Sequence, residues 1–161
     1  MARIKFGWNS GPGKGEEVPV AADQYFNRLG GRFVYMSAGN ANLRLDATVT
    51  DAAKTLFGWL EAPKDDELKS AWKSSSTAGK DKAFVIVGLE DKYWVPLDLA
   101  SASAAASLVG GFATLKHTGA TYALKQKAYY IGTAASANLI IHDYDVDDDA
   151  LLVSIKPDMF A

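Results

Sequence analysis

Apolar and polar side chains alternate most clearly near the end of the chain, from Asn138 to Pro157. From His142 onward, Tyr144 and Val146 fall on one face, while Asp143, Asp145 and Asp147 fall on the other. Beyond an acidic turn, Leu151, Val153 and Ile155 share one face, and Leu152, Ser154 and Lys156 take the opposite one. Two period-two segments joined by a run of Asp, a turn-forming residue, predict a hairpin. A hairpin at this end of the chain buries its apolar face only against strands formed earlier. The pattern therefore predicts a β-rich fold with non-local contacts.

Weaker patterns precede it. Phe33-Val-Tyr-Met36 is a short apolar run, Asn40-Ala-Asn42 reads as a turn, and Leu43, Leu45, Ala47 and Val49 alternate with polar residues. Leu56-Phe-Gly-Trp-Leu60 is an apolar strand interrupted by Gly58, which signals a bulge or a close backbone approach. Pro63 opens a polar stretch in which Leu68 and Trp72 stand four apart, the spacing of one short helix. The near-continuous apolar run from Ala83 to Leu89 suits a strand covered on both faces. Glu90-Asp91 then turns the chain into Lys92-Tyr-Trp-Val-Pro-Leu97, a strand that Pro96 confines to an edge or brings to its end. Ser101 to Val109, with a possible N-cap and with Gly110 just past its end, predicts a helix. Phe112 to Leu115 and Tyr122 to Ile131 predict two further strands.

The first 30 residues read differently. Gly7, Gly11, Pro12, Gly13, Gly15 and Pro19 give neither helical nor strand periodicity, so this segment predicts an extended arm, with the β-rich domain spanning residues 31–161. The fold expectation is one mainly β domain, barrel or sandwich-like, with one or two short helices. Ile4, Phe6, Trp8, Tyr25 and Phe26 are large apolar groups on the arm and are candidates for contact, either with the arm's own domain or with another chain. The glycines at 11, 13 and 15 lack the preceding strand, following helix and Lys-Ser/Thr pair of a phosphate loop.

Composition narrows the chemistry. A chain of 161 residues buries a core without staples, and the absence of Cys removes thiol nucleophiles and thiolate metal sites. A net charge of -2 offers no basic field for nucleic acid and no polybasic anchor for lipid. No apolar run reaches the ~20 residues of a membrane helix, and the N-terminus lacks a secretory leader pattern. Only His117 and His142 are available as imidazole bases, and neither has a sequence context that marks a nucleophile constellation. No cofactor motif is present. Asp143, Asp145 and Asp147 have the spacing that begins a calcium loop, but the sixth position is Asp148 rather than Gly and the twelfth is Ser154 rather than Glu. A solvated strand face is the expectation there, and these three residues are the only metal candidates.

Several segments together resemble the capsid decoration, or cement, proteins of tailed bacteriophages: Gly31-Arg-Phe-Val-Tyr-Met-Ser-Ala-Gly39, Leu56-Phe-Gly-Trp59, Ala105-Ala-Ser-Leu-Val-Gly110, Leu139-Ile-Ile-His-Asp-Tyr-Asp-Val-Asp147 and Leu152-Val-Ser-Ile-Lys-Pro157. The resemblance implies a small β protein without catalytic residues or cofactors. It further implies binding to the major capsid protein on the outer face of a virion, often as a homotrimer. The long arm and the stretch around Trp72 depart from the compact members of that family. The competing expectation is a carbohydrate-binding or head-fibre-type module, in which Trp59, Trp72, Trp94 and the tyrosines would form a stacking platform.

Overall fold

A computed structural model of the chain describes residues 7–27, 32–43, 56–61, 71–98, 108–118, 125–130 and 137–157. The strands are β1 (Gly7–Ser10), β2 (Gly15–Pro19), β3 (Tyr25–Asn27), β4 (Phe33–Ser37), β5 (Asn40–Leu43), β6 (Gly58–Glu61), β7 (Ala71–Lys73), β8 (Lys82–Ile86), β9 (Lys92–Pro96), β10 (Phe112–Thr118), β11 (Lys125–Tyr130), β12 (Leu139–Asp145) and β13 (Ala150–Ile155). They form a six-stranded sheet in the order β1-β9-β13-β12-β10-β11, a five-stranded sheet in the order β2-β8-β6-β4-β5, and the ribbon β3-β7. The chain is thus mainly β and sandwich-like. Neither large sheet closes into a barrel, although each curls: Leu97, just past β9, makes a single parallel bridge to Ala128 on β11, and Val20, just past β2, makes one to Ala41 on β5.

The last hairpin forms as its alternation requires. Leu151, Val153 and Ile155 are buried in the larger core with Leu139 and Ile141 from the facing strand. The register shifts between Ile141 and Asp143, a bulge that inserts His142 and sets its ring against Ser154. β8 feeds both cores, with Ile86 in the larger one and Ala83 and Val85 in the smaller one beside Val18, Phe26, Leu60 and Trp72. Gly58 is a close approach: a Cβ there would overlap the carbonyl oxygen of Ile86. Pro96 ends β9 as expected, in a strand that lies between β1 and β13.

The sheets meet at three rings. Phe33 of β4 packs edge-on against Trp59 of β6, with ring centroids 4.8 Å apart. Tyr93 of β9 stacks on that indole at 5.0 Å, and its own edge contact with Phe33 is 5.3 Å. Beside them Gln126 of β11, fully buried, accepts from the Phe33 N–H and donates to the Phe33 carbonyl, both at 2.7 Å. One side chain thereby does the work of a strand partner across the gap between the sheets.

Three sequence expectations need correction. Residues 7–27 do not form an arm: β1 is an edge of the six-stranded sheet, β2 is an edge of the five-stranded sheet, and β3 pairs with β7. Their Gly and Pro residues hide strands whose order comes from backbone pairing with distant partners, a source of stability that side-chain periodicity does not report. Trp72 lies on the strand β7, stacked on Phe26 at 5.5 Å, and not on a helix. Asn40 and Asn42 belong to β5, and the turn before them is Ala38-Gly39, both with positive φ, 51° and 77°. The strand expected over Tyr122 to Ile131 is realised as β11, while residues 122–124 and 131 lie outside the described residues. Leu45, Ala47, Val49, Pro63 and Leu68 also lie outside them, as does the expected helix from Ser101 up to residue 107; Leu108 to Gly110 form a turn.

Candidate docking surface at the N-terminal corner

The residues that sequence marks for contact separate into three groups. Ile4 and Phe6 lie outside the described residues. Phe26, 1% exposed, is core, which removes it from any docking role, and Tyr25 is half-buried under the Lys73 ammonium, 5.3 Å from the ring centroid. Trp8 is the candidate that stays at the surface, 44% exposed.

Trp8 is fixed there by a residue that the sequence does not single out. Asp91, in the turn between β8 and β9, is fully buried. Its Oδ1 accepts from the Trp8 indole N–H and from the Gly13 backbone N–H, each at 2.8 Å. Two amide-like donors on one carboxylate oxygen make a charge-assisted fastening. The surrounding glycines leave the room it needs. At Gly11, with φ 120°, a Cβ would stand 2.6 Å from the same oxygen, and at Gly88 a Cβ would collide with Oδ2. Gly13 lies under the Trp8 ring, its Cβ position 3.6 Å from the six-membered ring. Two of the three glycines that fail as a phosphate loop, Gly11 and Gly13, therefore adjoin a carboxylate of the chain itself. A cluster of Gly opposite a lone Asp in a turn is the only signal the sequence carries of this arrangement.

The corner is shared by both sheets. β1 runs along β9 and β2 along β8, and the Val87 N–H donates to the Lys14 carbonyl at 3.0 Å in the connection. Leu89, two residues before Asp91, is 37% exposed, so the corner carries an exposed aromatic and an exposed aliphatic side chain. Behind it, the Tyr93 hydroxyl is held in its protonated form by burial and by the nearby negative charges of Asp91 and Glu61. Burial also raises the Glu61 carboxyl, a shift that the Arg32 guanidinium, 3.5 Å away, partly offsets.

The acidic turn is organised around its own backbone. Asp145 Oδ1 accepts from the N–H groups of Asp147 and Asp148 at 3.0 and 3.2 Å, and Asp143 Oδ1 accepts from the Tyr144 N–H at 2.8 Å. Among the described residues no three His, Cys, Asp or Glu side chains converge as a metal cluster. His142 Nε2 lies 2.7 Å from Ser154 Oγ, the spacing of a base and a hydroxyl. Ser154, 5% exposed, is shielded from an incoming substrate, so the pair reads as a lock between β12 and β13. The side chain of His117 lies outside the described residues. Of the three tryptophans that could form a sugar platform, Trp59 and Trp72 are core, at 1% and 8% exposure, and are closed to stacking by a ligand. Trp94 is half-buried and donates its indole N–H to Asn9 Oδ1 at 3.0 Å. Comparison of the chain with protein-family models, curated proteins and solved structures finds no match.

Proposed function

We propose that this chain is a non-enzymatic structural protein that binds the outer surface of a phage capsid, contacts the major capsid protein through its N-terminal corner, and stabilises the shell as a homo-oligomer. The observation that carries the reading is the fixed indole of Trp8: an aromatic side chain 44% exposed, held by Asp91 in the turn that also carries the exposed Leu89. Interfaces draw most of their energy from a few aromatic anchors, and an anchor fixed before binding loses little entropy when it docks. A solvent-exposed indole with its only donor turned inward has little to gain from water and much from an apolar pocket. The resemblance of the segments from Gly31 onward to decoration proteins supplies the kind of partner, and its trimeric members supply the expected assembly.

Co-sedimentation with undecorated shells tests this. The full chain is expected to pellet with the shells, and Trp8→Ala to stay largely in the supernatant while keeping its fold. Failure of the wild-type chain to pellet, together with reproducible binding on a glycan array, would favour the carbohydrate-binding alternative and overturn the proposal.

A further inference from the structure

We propose that residues 7–19 act as a strap that opens from the domain as one unit, hinges at Val20 and is pinned shut by the Asp91 carboxylate. This rests on the geometry of the corner and is independent of what docks there. β1 and β2 each have a ladder on one side only, and both partners, β9 and β8, belong to the same corner. The two ladders therefore share one seam. Within the strap only Gly7 and Val18 are buried, whereas in β13 Leu152 alone is not. The β1 ladder is also irregular, with a register shift between Trp8 and Ser10.

The loop between the two strands is fixed at Asp91 through Trp8 and Gly13. Just past the strap the chain is held on several sides. The Val20 N–H donates to the Asp81 carbonyl, the Gly79 N–H donates to the Val20 carbonyl, and the Ala21 N–H donates to the Ala41 carbonyl, all at 2.9 Å. A segment with few buried apolar groups, attached by backbone bonds, the buried Asp91 pin and one exposed hydrogen bond from Trp94 to Asn9, opens at lower free energy than the core it lies on. Opening leaves β8 paired with β6 and β9 paired with β13. The opposite margins of both strands then present unpaired N–H and C=O groups across the two sheets, an edge able to take up an extended segment.

Native-state hydrogen exchange on the full chain, read by mass spectrometry, tests the strap. Amides of residues 8–19 are expected to exchange as a group, ahead of β12 and β13. Trp8→Phe keeps a ring and removes one hydrogen bond to Asp91, and should speed exchange across 8–19 by about tenfold. Asp91→Ala removes both bonds and should speed it further, with β12 and β13 unchanged in either variant. Should Asp91→Ala fail to fold, Trp8→Phe decides alone. Exchange of 8–19 in step with β12 and β13 in the wild type, or acceleration of all strands alike in Trp8→Phe, would overturn the proposal.

Discussion

Asp91 and His142 are two polar residues placed by the fold against expectation, one in a turn that looked generic and one in a strand that looked regular. The carboxylate fits because Gly11 and Gly88 let backbone close around it, and two donors offset the burial of Oδ1, whereas the buried Oδ2 has no hydrogen-bond partner among the described residues. His142 is displaced by a bulge from the Tyr144 face, where alternation put it, to the side of Ser154. Burial, and then the nearby Lys92 ammonium, hold its pKa below the ordinary 6.5. The native state therefore binds this proton less readily than the unfolded chain. Its contribution to stability is present above pH 6.5 and is lost as pH falls through the lower folded value. Glu61 has the opposite sign: raised above 4.5 by burial, it adds stability that is present below that pH and lost as pH rises through its folded value. His142→Gln keeps a partner for Ser154 and removes only the first titration. Melting curves over a pH series should show a shallower decline below pH 6.5 in the variant than in the wild type, and parallel curves would contradict this.

Strands differ in how much of themselves they write into the sequence. β13 announces itself because Leu151, Val153 and Ile155 alternate in sequence and five of its six residues are buried. β1 and β2 carry exposure patterns Beee and eeeBi, so their side chains give no period, and the partners that order them lie 63 to 87 residues away. That is why residues 7–19 read as an arm. If the arm reading were right, deleting residues 1–20 would leave stability untouched. With Val18 and Val20 both buried in the smaller core, the deletion should cost about 3 to 6 kcal/mol, from roughly 1.5 to 3 for each side chain. Urea unfolding measures it, and an unchanged midpoint would restore the arm. The acidic turn has Ser154 where a calcium loop has its closing Glu, and Asp143 and Asp145 accept from local amides. Millimolar calcium should leave the melting temperature unchanged, whereas a rise growing with concentration would mean a site that binds only the folded state.

Over the whole molecule, the mainly β class was legible because most buried strands alternate or run apolar, while the pairing of two curled sheets was not. Sheet order depends on contacts such as Gln126 with Phe33 and Tyr93 with Trp59, far apart in sequence and chemically ordinary in isolation. Gln126→Leu is isosteric in bulk but leaves the Phe33 N–H and C=O without that partner inside the core. A loss of about 2 to 6 kcal/mol follows from roughly 1 to 3 for each buried group stranded, again read by urea unfolding. A loss below that range would mean that the sheets are joined chiefly by the aromatic cluster. The candidate docking surface was half legible: Trp8 was a candidate from its size and place, but Asp91, which accepts from its indole N–H, is recognisable only with the glycines seen around it.

The most direct measurement is electron cryo-microscopy of undecorated shells incubated with the full-length protein, at a resolution that places side chains. Density is expected on the outer shell surface, with Trp8 and Leu89 buried against the capsid subunit and Asp91 still holding the indole. Bound protein whose N-terminal corner faces solvent while another surface, such as the turn bearing the 65% exposed Val146, makes the contact would contradict it, as would shells that remain bare.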